Sequence, residues 1–62
     1  MNKKIWQVEC STYLYPVEYQ SYWVRAAQAG MAEKLAVAEM IRELKDEGCH
    51  ATAVIFLGDL LN

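Results

Sequence analysis

The feature that most constrains this chain is a change of hydrophobic period partway along it. From Lys4 to Thr12, the residues Trp6, Val8 and Cys10 alternate with Gln7, Glu9 and Ser11, the period of two that sends successive side chains to opposite faces of a strand. From Glu18 to Ala26 the alternation resumes, with Tyr22, Val24 and Ala26 on one face and Tyr19, Ser21, Trp23 and Arg25 on the other. At Ala27 it gives way to alanine-rich, helix-forming sequence that runs without proline to Gly48. Strand character returns from Cys49 to Leu57, apolar on both faces from Ala53 onward.

The punctuation between these stretches is uneven. Pro16 lacks the N–H a ladder needs, which puts a turn between the first two strands, although no Asn-Gly or Asp-Gly pair sets its register. The helix is expected over Gly30 to Glu47, with Gly48 as the left-handed residue that ends it. No Ser, Thr, Asp or Asn caps its start, so its first residue falls anywhere from Ala27 to Met31. Gly58 and Asp59 are expected to end the third strand, with Leu60, Leu61 and Asn62 as a short tail.

These elements predict an α+β fold of order ββαβ, a three-stranded, mostly antiparallel sheet with one helix packed on one face, as a single domain over residues 1–62. A strand, helix, strand crossover makes its flanking strands parallel. If the third strand docks beside the first, the spatial order is 2-1-3. That order brings Cys10 and Cys49 to the same end of the sheet as neighbouring reduced thiols, since two cysteines make no secreted disulfide framework.

A chain of 62 residues buries only about 60% of the surface its unfolded form exposes, so additional contacts with a partner are expected. The helix carries two apolar faces. The broad one, Ala36, Val37, Met40, Ile41 and Leu44, should cover the sheet. The narrow one, Met31, Leu35 and Ala38 beside Arg42, has no evident cover unless Leu14, Leu60 or Leu61 folds over it. Val54 to Leu57 poses the same problem on a strand, because neighbours point to opposite sides of a sheet. The third strand is also an edge, without Lys or Pro to discourage pairing. A homodimer is expected, with Met31, Leu35, Ala38, Ile55 and Leu57 at the oligomer interface.

Charge excludes several functions. With six basic and eight acidic residues the net charge is −2, lacking the basic run of a sequence-independent nucleic-acid binder and far from the acidity of a DNA mimic. No apolar run approaches the roughly 18 residues of a membrane span, and Met1 to Ile5 is not followed by the apolar stretch of a signal peptide. The expected location is cytoplasmic.

Chemistry is equally sparse, and no cofactor and no catalytic activity are expected. His50 is the only histidine and reads as a solvated strand-end side chain. Cys49 and His50 are adjacent and so diverge on a strand, which spoils a metal site with Cys10. Glu33, Glu39, Glu43, Asp46 and Glu47 read as the helix's solvated face, with Arg42 and Asp46 at ion-pairing spacing. Glu9 and Glu18 could meet across the hairpin. Gly30, Gly48 and Gly58 are too dispersed to cradle a phosphate.

The aromatic residues are the best candidates for a site. Tyr13, Tyr19 and Trp23, with Arg25 in phase, fall on positions opposite the predicted core face, and Trp, Tyr and Arg are enriched in protein-binding hot spots. A small, non-enzymatic, dimeric protein-binding module acting as an inhibitor or adaptor of a larger complex is the leading expectation. In size and compactness the chain resembles the accessory proteins that bacteriophages and mobile elements use to inhibit host or defence machinery, anti-CRISPR proteins among them. The alternatives are a nucleic-acid or nucleotide binder that stacks bases on the aromatic face and a structural subunit of an assembly.

Overall fold

The computed structural model describes residues 4–59. Its elements are β1 (Lys4–Thr12), β2 (Tyr19–Ala26), α1 (Ala29–Leu44) and β3 (Cys49–Asp59). They form one open sheet of order β2-β1-β3, in which β1 pairs antiparallel with both neighbours. The expected ββαβ fold is that of the molecule, and of the strand orders left open the structure takes the one in which β3 docks beside β1, with extents of 41 × 17 × 15 Å.

The period-two pattern of β1 and β2 translates directly into faces. Val8, Cys10 and Ala26 are buried, and Trp6, Tyr22 and Val24 pack against them at the margin. From the helix, Ala32, Ala36 and Met40 are fully buried, spaced four apart along one face. Val37, Ile41 and Leu44 widen that face, as expected. The two alanines let the helix backbone approach the sheet closely, and Met40, flexible at three torsions, fills the remaining space.

β3 departs from simple alternation. Its register against β1 shifts twice, between Ile5 and Trp6 and between Glu9 and Cys10, leaving Leu57 and Thr52 as the extra residues. Each bulge reverses which parity faces the helix. Cys49 and Ala51 lie on the core side opposite Thr12 and Cys10, and Val54 and Phe56 do so opposite Val8 and Trp6. Ile55, opposite Gln7, goes to the far side. The strand continues through Gly58 to Asp59 instead of stopping at Leu57, and the expected tail Leu60 to Asn62 lies outside the described residues.

The helix ends earlier than its composition suggests. Lys45, not Gly48, is the left-handed residue, with φ 55° and its N–H donating to the Ile41 carbonyl at 2.7 Å. Gly48 is instead fixed in the connection to β3 by a hydrogen bond from its N–H to Asp46 Oδ1 at 2.8 Å. At the other end Gln28 occupies the N-cap position without a side-chain cap. Two expected acid contacts also differ. Arg42 pairs with Glu39, one turn back, rather than with Asp46. Glu9 lies opposite Ser21, while Glu18 donates its N–H to Thr12 Oγ1 at 3.0 Å, so the two glutamates do not meet.

Candidate interaction face

Only one face of the sheet carries the helix. The opposite face is built by the odd residues of β1 and β2 and by His50, Ala53 and Ile55 of β3. Trp23, Gln7 and Ile55 form one row across it, and Tyr19, Ser11 and His50 another. Trp23 and Tyr19 are each 75% exposed and Ile55 is 42% exposed, with Arg25 exposed in line with them. The residues singled out on β2 are thus gathered on one side, held there by strict alternation against β1.

The distribution of side-chain size is inverted from the usual one. Among the described residues the buried apolar set is Val8, Cys10, Ala26, Ala32, Ala36, Met40 and Cys49, whereas Tyr13, Leu14, Tyr15, Tyr19, Trp23, Met31, Leu35, Ile55, Phe56 and Leu57 are exposed. Of these, Tyr19, Trp23 and Ile55 stand on the sheet face opposite the helix, Tyr13, Leu14 and Tyr15 in the β1–β2 loop, and Met31 and Leu35 on α1.

Tyr13 belongs to the β1–β2 loop rather than to a strand. Its ring stacks on His50, with centroids 4.0 Å apart and planes 17° from parallel, and its N–H donates to the Gly48 carbonyl at 3.0 Å. His50 is therefore a half-buried member of a small cluster, not a solvated strand end. Its Nε2 lies 3.4 Å from Ser11 Oγ, and its Nδ1 is buried with no hydrogen-bond partner among the described residues.

The stripe of Met31, Leu35 and Ala38 lies on the crest of α1, turned away from the sheet; Met31 is 53% and Leu35 46% exposed. Leu14 is itself exposed and does not cover it. Ala38 also borders an open groove of about 400 Å³ between the helix and β3, lined by Lys34, Val37, Ile41 and Ala51 among others. Leu57, exposed at 45%, is one of the two bulge residues, separated along β3 from that groove.

Both cysteines are free and buried. Cys49 lies opposite Thr12, two residues from Cys10 along β1, which makes the thiols diagonal neighbours on the core side. Burial pushes the Cys10 thiol above its ordinary range, with Cys49 and Glu33 adding to it. Burial also raises Cys49, helped by Asp46 and Glu18, and its Sγ donates to the Asp46 carbonyl at 3.0 Å. Such thiols stay protonated at neutral pH and are poor nucleophiles. Among the described residues no group of three or more His, Cys, Asp or Glu is arranged to hold a metal ion, and no helix is long and apolar enough to cross a membrane.

What could be missed from sequence is the pair formed by Tyr13 and His50, since residues so far apart in the chain give no local signal. The bulges of β3 are similarly invisible, because they depend on its register with β1. Comparison of the chain with protein-family models, with curated proteins and with solved structures finds no match, so the functional reading rests on this geometry.

Proposed function

We propose that this chain is a small non-enzymatic protein-binding module that works as a homodimer and acts on a larger complex as an inhibitor or adaptor, by occupying a surface rather than by chemistry. The observation that carries the reading is the sheet face opposite the helix, where Trp23, Tyr19, Arg25 and Ile55 stand exposed together while the fully buried apolar side chains beneath are alanine, valine, cysteine and one methionine. Aromatic side chains on a rigid strand lose little conformational entropy on binding and supply large contact areas, which is why Trp, Tyr and Arg dominate hot spots.

The test is affinity capture with the full chain, comparing the unaltered protein with Trp23→Ala and Tyr19→Ala, and with Glu47→Ala, exposed in the connection after α1, as a control. A protein retained in stoichiometric amount by the unaltered chain and by Glu47→Ala is expected to weaken about thirtyfold with Trp23→Ala, the ~2 kcal/mol of a hot-spot residue. Circular dichroism of the variants should remain unchanged. Absence of any stoichiometric protein, or retention indifferent to both sheet-face substitutions, would overturn the reading.

A further inference from the structure

The two edges of the sheet are not equivalent. β3 carries both bulges, and bulges twist an edge out of line for pairing with another strand. β2 matches β1 residue for residue from Tyr19 to Ala26 without a shift, and among the described residues no strand pairs with its other side.

One hydrogen bond sets the phase of that open side. Thr12 N–H donates to the Glu18 carbonyl at 3.1 Å, continuing the register in which Ser11 faces Tyr19. Hydrogen-bonded and non-hydrogen-bonded pairs alternate along an antiparallel ladder. Gln20, Tyr22, Val24 and Ala26 therefore turn their backbone groups toward β1, and Tyr19, Ser21, Trp23 and Arg25 turn theirs outward. These four are the same residues whose side chains lie on the bare face, and they are spaced symmetrically about Tyr22.

We propose that β2 pairs antiparallel with β2 of a second copy about a two-fold axis at Tyr22, joining the two sheets into one. This rests on the dimeric part of the functional reading and names its surface. In this register Arg25 faces Tyr19 of the partner subunit, and Trp23 faces Ser21 of the partner subunit. A guanidinium thus meets a phenol ring and the largest side chain meets a small one. Like charges stay apart, because the two Arg25 residues fall at opposite ends of the pairing, roughly 20 Å from each other at strand rise.

Moving the axis to Ser21 would set Arg25 against Val17, and moving it to Trp23 would set Tyr19 against Ala27; both of those residues lie outside β2. Only the axis at Tyr22 uses every outward group of the strand. On the helix side, the Tyr22 hydroxyl is already donated to Glu43 and Glu39 is held by Arg42, so the acids on that flank of α1 are engaged. The consequence for the site is positional. In one copy Trp23 and Tyr19 stand on an edge strand, at the rim of the face. In the joined sheet they occupy its middle, where hot-spot residues cluster, and each copy completes the other's docking face.

The experiment uses the full chain without any partner protein, by sedimentation velocity and by amide hydrogen exchange. The unaltered chain is expected to sediment as a dimer, with the amides of Tyr19, Ser21, Trp23 and Arg25 protected. Ser21→Pro removes one outward N–H at an edge position where proline is tolerated. It should sediment as a monomer, and the remaining outward amides should exchange about tenfold faster or more. Trp23→Lys, which sets an ammonium near its counterpart across the axis, should do the same through charge and serves if the proline variant does not fold. A chain that stays monomeric up to about 100 μM, or a dimer whose outward β2 amides exchange as in the variants, would overturn the proposal. Either failure leaves the capture result to stand or fall by itself.

Discussion

The hydroxyl of Tyr22, on β2, donates a hydrogen bond of 2.6 Å to Glu43 Oε1 near the end of α1. It ties the last turns of the helix to the edge strand on a flank where the contact is exposed to solvent. A hydrogen bond to a charged group contributes more than a neutral one, and exposure reduces that contribution. Tyr22→Phe is expected to destabilise the fold by about 0.5–1 kcal/mol, read as a shift in the urea midpoint with an unchanged slope.

Alkaline pH should weaken the fold further. Burial raises Tyr22, with the hydrogen bond and charge of Glu43 adding to it, and burial likewise raises Cys10 and Cys49. All three are neutral when protonated, and the folded state holds their protons more tightly than the unfolded chain does. Their contribution is complete below the unfolded values and declines as pH rises through about 9–10 toward the folded ones. Urea midpoints are expected to be level between pH 7 and 8 and to fall above pH 9. The decline from the tyrosine should be missing in Tyr22→Phe.

Among the described residues Met40 is the largest fully buried side chain, and truncating it would leave a cavity in the core cluster. Met40→Ala should cost about 2–4 kcal/mol. A chain of this size has a total stability of roughly 3–9 kcal/mol, so the variant is expected to lose a large share of its cooperative thermal transition, monitored by circular dichroism.

The end of the helix offers a stabilising change. Lys45 sits at φ 55°, where a side chain is strained and glycine is not. Lys45→Gly is expected to raise stability by about 0.5–1 kcal/mol. Gly48 has no such conformation, and a Cβ there would lie 3.2 Å from Asp46 Oδ1, so Gly48→Ala should be slightly destabilising. If instead Gly48→Ala proved the costlier of the two positions, the assignment of the helix end to Lys45 would be wrong.

Much of the architecture is written in local pattern. The two-residue period of β1 and β2 and the broad apolar face of α1 follow from covalent geometry, which any short window of sequence reports. Those windows place Trp23, Tyr19 and Arg25 opposite the core, and the crossover rule makes the second and third strands parallel; that β3 docks beside β1 is a long-range contact no window reports. Tyr13 lies in the loop rather than on a strand, held by stacking with His50, a contact that the alternation of β1 does not report.

What only the tertiary structure decided is where local pattern meets a distant partner. The bulges at Thr52 and Leu57 arise from the fit of β3 to β1, and they, not the run of apolar residues, determine that Val54 and Phe56 face the helix side while Ile55 faces away. The helix stops at Lys45 although its propensity continues, because the connection must turn back through Asp46 and Gly48 to start β3. The depth at which Ala32, Ala36 and Met40 are buried against Val8 and Cys10 was likewise decided by how closely one helix approaches one sheet. Composition states how much apolar surface a chain carries; only packing determines which part of it is left for something else to cover.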